Sequence, residues 1–136
     1  MQLISFEHNG KTSFGLLTEN GVIDAGARLS SDFVDLRSVL MAGRLDDLRD
    51  LIHSDANVDF EEADINYLPV IPNPSKVLCV GINYLSHIKE TGRDIPKYPV
   101  LFTRFPDSIV GHNTPLIRPK VSTDLVKLSS IPSNLF

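Results

Sequence analysis

The sequence predicts an α+β fold: a small N-terminal β-meander with helices, followed by a second segment that opens on a strand. Three observations carry this expectation. Asn9-Gly10 and Asn20-Gly21 separate β-compatible runs at 2–7, 12–18 and 22–25, and Asn-Gly supplies the two positive-φ positions of a type I′ hairpin turn. Beyond Arg28 the apolar spacing changes from strand-like to helical. Pro69, Pro72 and Pro74 then interrupt the chain before another apolar run at 76–80, and prolines so spaced cannot continue a helix.

Each element follows from local chemistry. Ser31 or Asp32 can cap a helix in which Phe33, Leu36, Val39 and Leu40 share a face, and Gly43 can end it. A second helix places Leu45, Leu48, Leu51 and Ile52 on its apolar side. The stretch 54–64 is acidic and weakly periodic, and the prolines after it mark a boundary between residues 1–68 and 69–125. Past that boundary, 76–80 reads as a strand buried on both faces. It leads through Gly81 into a helix over 83–91 that Gly92 stops. Residues 100–103 read as another strand, and 107–119 as loop or edge material broken by Gly111, Pro115 and Pro119.

With 136 residues, 42% of them hydrophobic, the chain suffices for one modest domain, or a small one plus part of a second. A net charge of -4 argues against a nucleic-acid partner, which needs clustered Lys and Arg. The charge is uneven: residues 1–90 hold seven Lys/Arg against fourteen Asp/Glu, and 91–136 hold six against three. A basic C-terminal segment suits an anionic small molecule. The one cysteine, Cys79, sits in an apolar run and suits a buried thiol in a reducing compartment rather than a nucleophile. No secretory signal and no apolar stretch of about 18 residues is present, so a cytoplasmic protein with no membrane partner is expected.

His87 and Glu90 stand three apart on the expected helix, so their side chains rise from adjacent turns of one face. A carboxylate bonded to one imidazole nitrogen fixes the tautomer and leaves the other nitrogen to take a proton. From spacing alone a solvated surface pair worth about 0.3 kcal/mol is the simpler reading.

The surrounding residues form a larger pattern. Pro74-Ser75-Lys76-Val77-Leu78-Cys79-Val80-Gly81-Ile82-Asn83-Tyr84-Leu85-Ser86-His87-Ile88-Lys89-Glu90-Thr91-Gly92 continues through Pro96-Lys97-Tyr98-Pro99-Val100-Leu101-Phe102-Thr103-Arg104-Phe105-Pro106 and Val110-Gly111-His112 to Ile117-Arg118-Pro119-Lys120-Val121-Ser122. This run resembles the start of the catalytic domain of the fumarylacetoacetate hydrolase family, in the manner of its prokaryotic 2-hydroxyhepta-2,4-diene-1,7-dioate isomerase and acylpyruvate hydrolase-like members. Residues 1–68 resemble the small N-terminal domain of such members. The resemblance implies that 69–125 begin a mixed β-roll catalytic domain. It implies that His87 and Glu90 are the catalytic dyad and that 83–96 form a lid over substrate. Arg104 would bind the substrate's anion, against the alternative of a strand-end surface charge, and Asn83 and Tyr84 would contact substrate. His8, His53 and His112 read as loop or surface residues without a chemical role.

The resemblance also implies a divalent cation, Mg2+ or Mn2+, held by a Glu-x-Glu pair and a later Asp in full-length relatives. It implies hydrolysis, isomerisation or decarboxylation of small 2-oxo or 1,3-dicarbonyl acids, as in aromatic catabolism. Here no Glu follows Glu90, and only Asp94, Asp107 and Asp124 remain downstream. No metal ligands are assigned, none is expected to be held by this chain alone, and 126–136 read as a divergent tail. The expectation is therefore an N-terminal part of such an enzyme, truncated before the metal site and inactive by itself. Alternatives from other classes are a non-catalytic module that pairs with an intact subunit, or the product of a disrupted gene. A homodimer is a further possibility. An incomplete sheet would leave the strands at 77–80 and 100–103 with open edges and apolar faces.

Overall fold

Two tight reversals draw the first 24 residues into an antiparallel meander of β1 (Gln2–His8), β2 (Lys11–Thr18) and β3 (Gly21–Asp24). This architecture is that of a computed structural model, which describes residues 2–53, 57–84, 88–89, 92, 94–117 and 120–121. At the first reversal His8 pairs with Lys11, and Asn9 and Gly10 hold φ of 49° and 75°, the expected type I′ signature. The second reversal is shifted by one residue. Thr18 pairs with Gly21, so the loop is Glu19-Asn20 and Gly21 opens β3. A side chain at Gly21 would run into the Phe60 carbonyl, and its φ of 134° suits glycine.

Strand alternation gives the sheet two apolar faces, and both are covered. Phe14, Leu16 and Ile23 point to one face, where Leu36, Val39 and Leu48 close over them. Ile4, Phe6 and Val22 point to the other, under Ile65, Phe60 and Tyr67. The first face is supplied by α2 (Leu36–Met41) and α3 (Leu45–His53). The α2 cap is Asp35 rather than Ser31 or Asp32: its carboxylate accepts from the Ser38 backbone N–H at 2.7 Å, and Ser38 closes the capping box. Phe33 thus precedes the helix, though it still packs on the core, and Leu40 is 41% exposed rather than on the buried face. Gly43, at φ 68°, follows the end of α2 as expected.

Beyond short 3-10 turns at Glu62–Asp64 and Pro106–Ser108, two further elements were not anticipated in the sequence. A single turn, α1 (Ala25–Arg28), begins where β3 stops because the Asp24 side chain caps Ala27 N–H. The three-residue strand β4 (Asn66–Leu68) adds to the outer edge of β1, giving the order β3-β2-β1-β4. The opposite edge is shielded where Val22 bonds Phe60 at 2.8 Å and Arg28 pairs with Asp59 at 2.8 Å.

The proline-rich segment lies against this sheet. Ser5 Oγ donates to the Val70 carbonyl at 2.7 Å, Ile71 packs on the helical face, and Asn73 Nδ2 donates to Asp35 at 2.8 Å. Beyond it β5 (Val77–Gly81) and β6 (Val100–Arg104) form a two-stranded antiparallel sheet. The expectation that the first of these is buried on both faces is overturned: Leu78 is 66% exposed and Val80 50%, whereas Val77 and Cys79 on the opposite face are half-buried. Of the expected helix over 83–91, Asn83 and Tyr84 are not helical and Ile88 and Lys89 are; Gly92, at φ 62°, donates to the Lys89 carbonyl. The remaining residues of that helix are outside those described.

Candidate active site at the end of the β5–β6 hairpin

β5 ends in an abrupt change of direction. Ile82 has φ 54°, a left-handed conformation that costs a β-branched residue about 1–3 kcal/mol, so surrounding contacts must hold it. The turn carries Asn83 away from the strand and into the wall of a cleft of about 590 Å3. Val80, Ile82 and Leu101 supply an apolar floor, Ile88 comes from the helical turn, and the opposite wall is Ile95-Pro96-Lys97-Tyr98-Pro99. Polar function in this cleft therefore comes chiefly from Asn83, with amide donors and an acceptor, and from Lys97.

The expected site residues are only partly brought together. Asn83 lines the cleft. Tyr84 is 54% exposed and is absent from the lining; its carbonyl accepts from Ile88 N–H at 3.0 Å. Arg104 pairs with Val77, whereas the cleft adjoins the other end of the hairpin, where Gly81 pairs with Val100. Four strand steps separate Arg104 from Val100, about 13 Å. The expected dyad, His87 and Glu90, lies outside the described residues. Lys97 was not singled out in the sequence, although the basic excess of 91–136 and the Pro-Lys-Tyr-Pro context pointed toward it.

A larger cleft of about 770 Å3 lies between β4 and the loop 112–115, far in sequence from the expected chemistry. His112 meets Tyr67 edge-on, centroids 5.5 Å apart, and Tyr67 Oη donates to Glu62 at 2.6 Å. Burial, with the Glu62 hydrogen bond and charge, pushes Tyr67 up to about 12, so it is a donor and not a nucleophile near neutral pH. Tyr67 and Glu62 are bonded to each other and His112 packs on the Tyr67 ring, so the smaller cleft is the better candidate despite its size.

Residues 76–127 match the family described as Fumarylacetoacetate (FAA) hydrolase C-terminal. The chain is 30% identical over 131 residues to the mitochondrial oxaloacetate tautomerase fahd2 of Xenopus laevis, covering 92% of this chain and 41% of that protein. It is 31% identical over 113 residues to the fumarylacetoacetate hydrolase domain-containing protein 2 homolog of Dictyostelium discoideum, covering 82% and 37%. A Mycobacterium smegmatis crystal structure described as that of an HpcE protein superposes with a TM-score of 0.63 at 26% identity, over 88% of this chain and 41% of that one. The chain belongs to the fumarylacetoacetate hydrolase family. It spans about two fifths of the length of these relatives. The family-matched stretch contains Asn83, Tyr84, His87, Glu90, Lys97 and Arg104, and so the whole smaller cleft.

This is a family of hydrolase and isomerase type, and its members are generally metal-dependent. The described residues do not fit a divalent cation. Such an ion needs converging oxygen ligands, and among the described residues no group of three or more His, Cys, Asp or Glu is close enough to hold one. Among the described residues no helix is long and apolar enough to cross a membrane.

Proposed function

We propose that this chain supplies one part of a fumarylacetoacetate hydrolase-type site for a small 2-oxo or 1,3-dicarbonyl acid, and that the polypeptide alone is inactive. The observation that carries the reading is the cleft at the end of β5, walled by Asn83 and Lys97 and enclosed within the family-matched residues. In this reading Asn83 orients a carbonyl oxygen through its amide. The Tyr84 hydroxyl offers a second donor, and Arg104 adds positive charge that draws the acid toward the hairpin. His87, oriented by Glu90, takes a proton from carbon or water and returns it. Hydrolysis, tautomerisation and decarboxylation share such a proton transfer, which is why the substrate class is proposed here and one reaction is not. Mg2+ or Mn2+ would supply Lewis-acid stabilisation of an enolate in this reading, and no ligands for it are assigned among the residues of this sequence. The division into 1–68, 69–125 and 126–136 is retained as part of the same proposal, as is a cytoplasmic setting for the unpaired thiol of Cys79.

The purified chain, given magnesium and either an acylpyruvate or oxaloacetate, is expected to show no turnover. Fusing a relative's C-terminal segment is expected to confer magnesium binding and an activity that His87→Ala abolishes. Turnover by the unfused chain, lost in His87→Ala, would overturn the inactivity.

A second reading is favoured by the exposed apolar hairpin, with Leu78, Leu101 and Phe102 at 66%, 63% and 44% exposure. In it the chain is a non-catalytic module that covers this surface by pairing with an intact subunit. A monodisperse monomer in light scattering would count against it.

A further inference from the structure

We infer that Lys97 is the residue that contacts the carboxylate of a ligand in the β5-end cleft, and that Arg104 is not. The inference rests on the proposed cleft but names a contact which that reading leaves open. Lys97 is the one charged side chain among the described lining residues, whose other members are mostly apolar. Among the described residues no carboxylate pairs with it, the three ion pairs involving other groups. Lys97 is exposed at the cleft, so its ammonium can turn to meet the carboxylate of an entering ligand. The backbone that carries it is stiffened from both sides: Pro96 and Pro99 fix their own φ and hold Ile95 and Tyr98 extended. Arg104 lies about 13 Å of strand away, beyond the reach of a small acid seated against Asn83.

Binding of acetopyruvate, its methyl ester and succinate to the full chain tests this by calorimetry. Lys97→Gln is expected to weaken acetopyruvate roughly tenfold or more, the loss of one charge-assisted contact, while the ester is unaffected. Lys97→Arg should restore most of the affinity, and Arg104→Gln should change it less than twofold. Succinate binding that depends on Lys97, with acetopyruvate no tighter, would keep this inference and reject the proposed substrate class. Acetopyruvate binding that survives Lys97→Gln, or that falls with Arg104→Gln instead, would overturn it. So would failure of both carboxylates to bind the wild-type chain.

Discussion

The four-stranded sheet and the β5–β6 hairpin are written in the same apolar vocabulary yet end in opposite states. In the first, Phe6, Leu16, Val22, Leu36, Val39 and Leu48 are fully buried, and both outer strands are shielded by later segments. In the second every residue of β6 is exposed, and the strained Ile82 sits beside the candidate cleft. The difference teaches that strand-forming residues decide local conformation, whereas burial is decided by what the rest of the chain brings to each face. The proposed cleft lies in the less packed region, where a turn can be re-aimed at little cost to the core.

The sharpest way to probe this contrast is a pair of truncations. Leu48→Ala removes a fully buried side chain and is expected to cost about 2–5 kcal/mol in urea unfolding. Leu101→Ala, at 63% exposure, is expected to stay within about 0.5 kcal/mol. Equal costs would show that the hairpin is covered in solution and would erase the contrast.

An intermediate effect is expected where the two regions are tied. Burial raises the Asp35 carboxyl, but the Ser38 backbone and side-chain hydrogen bonds, Asn73 and the Arg37 charge outweigh it and hold the group below 3.8. A depressed carboxyl stabilises the fold above its unfolded value, and that contribution is lost as pH falls through the folded value. Acid unfolding should therefore show a component below about pH 3.8 that Asp35→Asn removes. Asp35→Ala should cost about 1 kcal/mol at pH 7 by loss of the helix cap. A flat response would mean that the Asn73 tie contributes nothing to the N-terminal unit.

The smallest effect is expected at Tyr67. Absorbance titration should reveal a phenol ionising near 12 that Tyr67→Phe eliminates. Because the folded value is raised, its stabilisation is complete below pH 10 and is lost as pH rises toward 12. At neutral pH the substitution should cost about 0.5 kcal/mol, one partly solvated hydrogen bond.

Much of the N-terminal unit was legible because its signals are local. Asn9-Gly10 dictates its own turn, and Leu45, Leu48, Leu51 and Ile52 trace one face of a helix. The misreadings have separate causes. Asn20-Gly21 slipped because Phe60, far along the chain, needs the space beside Gly21. Asp35 displaced Ser31 and Asp32 as cap because Ser38, three residues on, completes a capping box with it. β4 was invisible because Asn66-Tyr67-Leu68 is too short to show alternation. The cleft itself was not legible, since only the fold of 95–99 onto the end of β5 makes one of them.

β4 governs more than its three residues suggest. Ser5 and Val70 are joined across 65 positions of sequence, and closing such a loop costs about 3 kcal/mol more chain entropy than the two-residue first hairpin, roughly five doublings of length. The β1–β2–β3 hairpins can therefore assemble early, with β4 docking after them. Gly111, whose backbone abuts the Tyr67 carbonyl, is anchored on β4, while Val70 is held by Ser5 of β1. Loss of β4 would thus free the edge of β1 and the segment around Gly111 together.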